Sequence, residues 1–383
     1  MSWVFFLIVA AFALFNFVTI RSLLAFHPRW RSLIIVTAVA GNLVWPLLPF
    51  ILSARTNPYI RLVRATLGPI WFSWLIVVFV YSAFVAIMSI IWIVAARRRR
   101  FVDFSRRSSI AWLAVLVLLA LIGVYHALVP LRVERVTVAI RNLDPQLVGY
   151  RVALLSDLHV GLFTRPSRLT RTAETVRAER PAIVAIAGDF IDDDPFFVPK
   201  LLKGLSSIPS DIPIVAALGN HEMYGNPEEV IRGMAGSRVE LLVNRGKEVG
   251  RGSAKLWVAG LSDFAAAAGG RRARPGLAPD LDKAMAGSAP NAPTILLAHQ
   301  PDAFTLARRR GIALTIAGHT HGGQFGIRAI RWSLAGVFLP FDMGLYRRED
   351  SQLYITTGAG YWLVPFRLGM SPEVVILTLT PSN

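Results

Sequence analysis

The sequence predicts an α-helical membrane domain in residues 1–130 and an α/β domain in residues 131–383. Three observations lead to this division. The chain is 54% hydrophobic and 17% charged, its longest apolar runs lie before residue 130, and short apolar runs alternate with helix-like segments and Gly/Pro turns after it. This composition and the absence of cysteine argue against a disordered chain, a disulfide-stapled secreted domain and a thiolate metal site.

Four apolar segments predict the helices of the membrane domain, because each is close to the ~20 residues that a helix needs to cross ~30 Å of hydrocarbon. They are Trp3 to Ile20, Leu33 to Leu52, Ile70 to Ala96 and Ile110 to Val129. A cleaved signal peptide is the alternative for the first segment, but it has no basic region before it and three further segments follow. The four segments contain no Asp, Glu or Lys, so the sequence does not favour a transporter with an ion pathway.

The arginines of the membrane domain predict its orientation. Up to Val129 the chain holds 12 arginines and one acidic residue, Asp103. The first and third loops hold nine arginines, whereas the second loop and the short segment directly after the fourth span, with Arg132, Arg135 and Arg141, hold six. The positive-inside rule therefore places the α/β domain on the extracytoplasmic side, with the opposite arrangement still open. The chain has a net charge of +17. Most of it comes from arginines at the ends of apolar segments, where membrane topology and anionic lipid headgroups explain them, so nucleic-acid binding is not expected.

The α/β domain is predicted from short apolar runs between amphipathic segments. The predicted strands are Arg135 to Arg141, Arg151 to Ser156, Ala182 to Ala187, Ile214 to Leu218, Leu256 to Gly260, Thr294 to Ala298, Leu314 to Ala317, Gln352 to Thr357 and Val374 to Thr380. The predicted helices are Pro166 to Arg180, Val198 to Leu205, one that begins near Pro227, and Pro301 to Arg310. The Ala/Gly/Pro-rich stretch from Phe264 to Pro293 predicts a long surface loop or a partly ordered insertion.

Polar residues follow five of these strands at the point where each strand ends. They are Asp157 and His159, Asp189, Asn220 and His221, His299, and His319 and His321. Since the carboxyl ends of strands line the ligand crevice in open α/β sheets, we expect these groups to converge. All five histidines beyond the membrane domain lie at these ends, which favours a metal site over a set of separate core histidines.

The residue types indicate which metals such a site would hold. Imidazole and carboxylate suit Mn, Fe and Zn. Four histidines, two aspartates and one asparagine are too many ligands for one ion, but they fit two ions ~3.5–4 Å apart that share a carboxylate and clamp the oxygens of a phosphoryl displacement. Gly188, Gly219 and Gly318 each precede a ligand, where we expect a Cβ to crowd the site.

Taken in order, the blocks Asp-x-His, Gly-Asp, Gly-Asn-His, a lone His and Gly-His-x-His resemble the motif set of the calcineurin-like metallophosphoesterase superfamily, from about Val136 to Leu379. The resemblance implies a β-sandwich flanked by helices. It also implies that a hydroxide bridging two metals attacks phosphorus in line. The implied ligands are Asp157, His159 and His321 for the first metal, Asp189 as the bridge, and Asn220, His299 and His319 for the second.

Two further residues receive roles from the resemblance. His221 is expected to protonate or hydrogen-bond the leaving oxygen. Asp192 is expected to orient His221, although the run of three aspartates that it begins fits a solvated turn equally well. Glu222 and Arg367 are additional candidates, with surface ion pairing as the alternative for both.

A multi-helix N-terminus before such a domain resembles the transmembrane metallophosphoesterases and the group related to UDP-2,3-diacylglucosamine hydrolase, an enzyme of lipid A synthesis. The resemblance implies a phosphodiesterase-type hydrolase with two divalent ions, Mn²⁺ first and Zn²⁺ or Fe as alternatives. The expected partners are the bilayer and a phospholipid or lipid-linked phosphate substrate, and the expected location is a bacterial cell membrane.

The side of the membrane bears on the substrate. A nucleotide-linked lipid precursor would be met on the cytoplasmic face, whereas the arginine count places the domain outside, which favours a periplasmic or wall-associated phosphodiester. The alternative function is a non-catalytic membrane sensor or scaffold that uses the fold to bind a ligand. The complete ligand set and His221 argue against that alternative.

Overall fold

The computed structural model describes residues 3–42, 98–128, 131–267, 273–290, 292–362 and 365–382, together with residues 59–60, 63, 74, 78, 80–88 and 90–91. The chain forms two compact units, Met1–Ile122 and Gly123–Asn383. The boundary between the units lies inside a helix that ends at Leu128, and the predicted domain boundary at residue 130 stays a prediction.

The N-terminal helices begin with α1, Trp3–Phe26, and α2, Arg31–Asn42. A longer helix, α3, covers Arg98–Leu128. Among the described residues, one stretch is long and apolar enough to cross a membrane, namely Arg106–Leu128 of α3, with 23 residues and a mean hydropathy of 2.3. This stretch contains nearly all of the fourth predicted span.

The other predicted spans are not established. Within α1 the described residues yield only a shorter apolar helix, Phe12–Phe26, so the first predicted span stays a prediction. The second and third predicted spans, Leu33 to Leu52 and Ile70 to Ala96, extend outside the described residues. The prediction of a four-helix membrane domain is therefore supported for one helix rather than four.

The second unit contains two six-stranded sheets within the part that the structure describes. The first sheet has the order β1-β14-β2-β3-β4-β5, in which β2 to β5 are parallel. Its strands are β1 Arg132–Ile140, β2 Arg151–Leu155, β3 Ile183–Ala187, β4 Ile214–Ala217, β5 Val239–Leu241 and β14 Glu373–Pro381. The second sheet has the order β12-β13-β9-β8-β7-β6. Its strands are β6 Arg245–Arg251, β7 Ala254–Gly260, β8 Thr294–Leu297, β9 Leu314–Ala317, β12 Gly344–Arg348 and β13 Ser351–Ile355.

Helices cover the outer faces of the two sheets. They are α4 Pro166–Glu179, α5 Val198–Leu205, α6 Asn220–Tyr224, α7 Pro227–Met234, α8 Leu281–Met285 and α9 Ala303–Arg309. Strand β2 shows why the strands read as continuous apolar runs. Its residues Val152 and Leu154 pack into the core between the sheets, whereas Ala153 and Leu155 pack against α4 and α5. A strand that is buried on both faces needs apolar residues at every position.

The predicted strands and helices match the observed ones within a few residues. Strand β1 begins at Arg132 rather than at Arg135. The short or polar strands β5, β6 and β12 were not predicted, and neither was the small hairpin of β10, Gly326–Ile327, with β11, Trp332–Ser333. The stretch predicted as a long loop after Phe264 contains short helices, among them α8, whose first turn is capped by the Asp280 carboxylate.

The topology places the candidate ligands at one edge. Strands β2, β3 and β4 run parallel, and so do β8 and β9. The carboxyl ends of parallel strands meet at the same edge of a sheet. All five strands that precede the candidate ligands therefore present their ends in the same direction within their own sheet.

Candidate metal centre

The backbone turns sharply where the strands end. Five of the seven predicted ligands have a positive φ, with values of 53° at Asp157, 42° at His159, 49° at Asp189, 74° at His319 and 51° at His321. A non-glycine residue in this region costs on the order of 1–3 kcal/mol and persists only where the surrounding structure holds it. The surrounding structure therefore holds five of the seven candidate ligands in this conformation.

The first group of donors consists of Asp157, His159 and His321. The Nε2 atoms of His159 and His321 lie 3.0 Å apart, and His321 Nε2 lies 3.2 Å from Asp157 Oδ1. All three side chains are buried. The structure thus brings together the three residues that the resemblance assigns to one metal.

The second group consists of Asn220, His299 and His319. Asn220 Oδ1 lies 3.0 Å from His299 Nε2 and 2.8 Å from His319 Nδ1. The two histidine nitrogens lie 3.2 Å apart. These residues come from α6 and from the ends of β8 and β9, so three separate segments build this group.

Asp189 lies between the two groups. Its Oδ2 is 3.1 Å from His299 Nε2 and 3.8 Å from His159 Nε2. Its Oδ1 accepts a hydrogen bond of 2.9 Å from the backbone N–H of His221. One carboxylate therefore faces both donor groups, as a bridging ligand must.

The spacing and chemistry of these donors fit divalent metal ions. Metal bonds of ~2.1 Å at right angles place neighbouring donor atoms ~3.0 Å apart, and the contacts within the two groups measure 2.8 to 3.2 Å. Among the described residues, four His/Asp sets have mutually close donor atoms, namely Asp157–His159–His321, His159–Asp189–His221, Asp189–His299–His319 and Asp192–Asp193–His221. Nitrogen and carboxylate donors of this kind suit Mn, Fe and Zn.

The surroundings shift the pKa values of His159, His319 and Asp157 in the direction that favours metal binding, whereas at His299 the carboxylate of Asp189 outweighs burial and raises the pKa well above its usual range. Burial lowers the pKa of His159 well below its usual range, and neighbouring imidazoles add to this effect. Burial also lowers the pKa of His319, to about 4. For Asp157, burial acts to raise the pKa, but His321 and other neighbours outweigh it and keep the pKa low. Neutral imidazoles and an ionised carboxylate are the forms that bind metals.

His221 stands beside the ligands and pairs with an aspartate that the sequence did not single out. Its Nδ1 lies 2.6 Å from Asp193 Oδ1 and 3.6 Å from Asp192 Oδ1, and the Asp193 contact is an ion pair rather than a well-aligned hydrogen bond. Burial acts to lower the pKa of His221, but Asp189, Asp193 and Asp192 outweigh it and raise the pKa to about 10. The predicted role of Asp192 in orienting His221 stays a prediction, and Asp193 is the closer carboxylate.

Glu222 and Arg367 are both fully buried, so surface ion pairing does not describe either of them. The Glu222 carboxylate accepts hydrogen bonds from the backbone N–H groups of Asp189, at 3.0 Å, and Gly219, at 2.7 Å. A third comes from Ile191, at 3.1 Å. Glu222 therefore joins the loop that carries the bridging aspartate to the loop that carries Asn220.

Arg367 reaches the opposite side of the site. Its guanidinium donates to His321 Nδ1 at 3.1 Å and to the Gly360 carbonyl at 2.8 Å. Because the ring of His321 is held through Nδ1, its Nε2 is directed toward His159 and Asp157. Groups that fix the ring of a metal-ligating histidine in this way are a general feature of metal sites.

Comparison with known proteins identifies the family of the chain. The family model described as calcineurin-like phosphoesterase matches residues 150–323. A Danio rerio protein named "Transmembrane protein with metallophosphoesterase domain" is 33% identical over 283 residues, which cover 72% of this chain and 63% of the relative. An "Uncharacterized metallophosphoesterase" of Helicobacter pylori is 31% identical over 263 residues, which cover 68% of this chain and 67% of the relative.

A solved structure of a dimetal phosphatase from Danio rerio is 14% identical, with a TM-score of 0.32 over 55% of this chain and 88% of that one. A likeness at that level carries no argument about the site. Family membership rests instead on the match to the family model and on the identity shared with the Helicobacter pylori relative over two thirds of its length. The chain belongs to the calcineurin-like phosphoesterase family.

Proposed function

We propose that this protein is a membrane-anchored phosphoesterase that holds two divalent ions and hydrolyses a phosphodiester or pyrophosphate bond in a lipid-linked or cell-envelope substrate, including a bond of the UDP-2,3-diacylglucosamine type. The observation that carries the proposal is Asp189, whose Oδ2 faces both donor groups. Mn²⁺ is the proposed ion, with Zn²⁺ or Fe as alternatives.

The chain supplies a complete set of ligands for two ions. One would be held by Asp157, His159 and His321, the other by Asn220, His299 and His319, and both by Asp189. When bound, two such ions polarise phosphoryl oxygens and lower the pKa of water.

His221 is the group that we assign to the leaving oxygen. Its Nε2 lies 3.9 Å from Asp189 Oδ2, so the imidazole stands next to the carboxylate that both donor groups share. Its Nδ1 faces Asp193, which fixes the ring and leaves Nε2 as the nitrogen directed toward the ligands. A ring held in this way can give a proton to a leaving oxygen without being a metal ligand itself.

The membrane part of the proposal rests on α3 and on charge. Arg106–Leu128 has the length and hydropathy of a span, and arginines 97–100, 106 and 107 lie before or at its start. The name of the Danio rerio relative includes the word transmembrane. We place the phosphoesterase unit on the extracytoplasmic face of a cell membrane, because the arginine count favours that side.

The test is metal content and hydrolysis by the purified full-length protein. Metals per chain are measured by mass spectrometry, and cleavage of bis-p-nitrophenyl phosphate is compared with cleavage of p-nitrophenyl phosphate in the presence of Mn²⁺. Asp189→Ala is expected to abolish both metal retention and turnover. Asp350→Ala is the matched control, because Asp350 is exposed and pairs with Arg141. Bound metal without turnover of either compound would favour the sensor or scaffold function, and a chain that binds no metal would contradict the proposal.

A further inference from the structure

A stretch of the second unit that follows the ligand His321 exposes an unusual number of apolar side chains. We call residues 325–339 the apolar rim. Eight large apolar side chains of the rim are 39% to 78% exposed. They are Phe325, Ile327, Ile330, Trp332, Leu334, Val337, Phe338 and Leu339. Among the described residues after Ile122, fifteen large apolar side chains are exposed, and these eight account for more than half of them. A concentrated apolar patch of this kind marks an interaction surface.

The backbone of the rim is held in place, so the exposure does not come from a lack of structure. Strands β10 and β11 pair within it, and Leu334 N donates to the Phe325 carbonyl at 2.8 Å. The Ser333 hydroxyl donates to Asp342 Oδ2 at 2.6 Å, beneath the exposed side chains. The fold therefore presents these apolar groups outward on a fixed support.

The rim is hydrogen-bonded to a segment that also binds the end of α3. Gly326 N donates to the Leu368 carbonyl at 2.9 Å, and Leu368 N donates to the Gln324 carbonyl at 2.8 Å. On either side of Leu368, Arg367 N donates to the Gly123 carbonyl at 2.9 Å and Gly369 N donates to His126 Nδ1 at 3.3 Å. The rim thus lies one segment away from the last turns of α3.

The depth of this contact can be estimated from the helix. Gly123 precedes Leu128, the last residue of the candidate span, by five positions, which at ~1.5 Å per residue is about 7–8 Å along the axis. Segments that lie in a membrane interface insert ~5–10 Å into the boundary between headgroups and acyl chains. The segment that holds the rim therefore contacts α3 at a distance from the end of the span that lies within the insertion depth of interfacial segments.

The side chains of the rim are of the types that favour this interface. Trp332 and Phe338 are aromatic, and Arg331 is exposed between apolar neighbours. Aromatic rings favour the headgroup level, and arginine is attracted to anionic headgroups. At its far end the rim reaches the metal site, because Leu339 lines a small cavity together with the ligand His319 and Phe341.

We propose that the apolar rim inserts into the membrane interface beside the end of α3 and presents the metal centre to phosphoesters carried by lipids of the bilayer. Insertion of the apolar rim into the bilayer does not depend on the proposed function. The assignment of a bilayer lipid as the substrate rests on it. The partner that we assign to the apolar rim is the phospholipid bilayer.

Insertion is tested by fluorescence in the full-length protein, which has no cysteine of its own and so accepts single labels. Val337→Cys is compared with Val148→Cys, because both valines are exposed, at 59% and 44%. Val148 precedes β2 and so lies near the opposite end of the strand from the ligands. Each variant carries an environment-sensitive fluorophore and is placed in nanodiscs of phosphatidylcholine and phosphatidylglycerol with nitroxide-labelled acyl chains.

Insertion predicts that emission from the label at Val337 falls at least about two-fold with the nitroxide lipid, whereas emission from the label at Val148 is unchanged. An equal response at the two positions overturns the proposal. A label at Val337 that is shielded from aqueous iodide but insensitive to the nitroxide lipid also overturns it, because protein, such as a second copy of the chain, would then cover the rim.

The consequence for the substrate is tested with the double variant V337D/F338D against V148D. The measured quantity is the ratio of hydrolysis of a vesicle-borne phosphodiester lipid to hydrolysis of soluble bis-p-nitrophenyl phosphate. We expect this ratio to fall about tenfold in V337D/F338D and not in V148D. An unchanged ratio overturns the substrate part. Absence of all hydrolysis by the unaltered protein would refute the proposed function, and the fluorescence result would still decide insertion.

Discussion

The substitution Gly219→Ala tests whether the loop after β4 leaves room for a side chain beside Asp189. Gly219 has φ −108° and ψ −174°, an extended conformation that alanine adopts without strain. An added Cβ would lie 2.2 Å from Asp189 Oδ1 and 2.5 Å from Asp189 N. Ordinary contacts of a Cβ begin at 3.4 Å, so the two residues must move apart by about 1 Å.

The magnitude of the effect follows from that displacement. Moving a group at a reacting centre by ~1 Å costs on the order of 10²-fold in rate, and an extra methyl group in a packed interior costs ~1–3 kcal/mol. Asp189 would also leave the position in which Oδ2 faces both donor groups. We therefore expect Gly219→Ala to retain fewer than two ions per chain and to lose about 100-fold in turnover. The melting temperature is expected to fall by ~2–4 °C for each kcal/mol lost.

The matched control is Gly276→Ala. A Cβ at Gly276 meets no atom of the described residues within 4 Å, so alanine is expected to leave turnover unchanged and to add ~0.4–1 kcal/mol to stability through the unfolded chain. The measurements are metal content, turnover of bis-p-nitrophenyl phosphate and thermal unfolding of both variants. A Gly219→Ala variant with two ions per chain and unaltered turnover would refute the packing argument.

Three further substitutions separate the roles of the side chains around the site. His221→Ala is expected to keep the metal content and to lower turnover by ~10²–10⁴-fold; loss of metal from this variant would contradict its assignment to the leaving oxygen. Arg367→Met removes the donor to His321 and is expected to weaken Mn²⁺ binding by ~10–100-fold in a calorimetric titration. The exposed Arg347 supplies the control Arg347→Met, and equal affinities in the two variants would speak against the role of Arg367. Glu222→Ala leaves three buried backbone N–H groups without their acceptor, each at a cost of ~1–3 kcal/mol. Its free energy of unfolding is expected to fall by at least ~3 kcal/mol, and a loss below ~1 kcal/mol in a denaturant titration would show that other groups satisfy those N–H groups.

The convergence of the candidate ligands could be predicted because it depends on strand order and residue type, and their assignment to metals stays a prediction. Asp157, Asp189 and Asn220 each follow an apolar run, and parallel pairing brings such strand ends together whatever their distance in sequence. The glycines before the ligands were also foreseen, because the neighbours of Gly188, Gly219 and Gly318 leave no space for a Cβ. Gly188 has in addition a φ of +74°, which favours glycine.

The surroundings of the ligands could not be predicted, because they depend on burial and on turn geometry. Glu222 and Arg367 are charged residues, which are usually exposed, and only packing shows that both are fully buried. Three consecutive aspartates are equivalent in the sequence, and the turn decides that Asp193 rather than Asp192 lies closest to His221. The edge strand β6 has the sequence RGKEVGR, which carries too few apolar residues for the alternation that marks a half-buried strand.

The central claim is that Asp189 joins two metal ions in one site, and electron paramagnetic resonance of the Mn²⁺-loaded full-length protein tests it most directly. Two Mn²⁺ ions bridged at ~3.5–4 Å give a spin-coupled signal, and the account predicts that signal in the unaltered protein and in the control Asp350→Asn. In Asp189→Asn the coupled signal is expected to disappear. A signal from isolated Mn²⁺ alone in the unaltered protein, or a coupled signal that survives Asp189→Asn, would contradict the account.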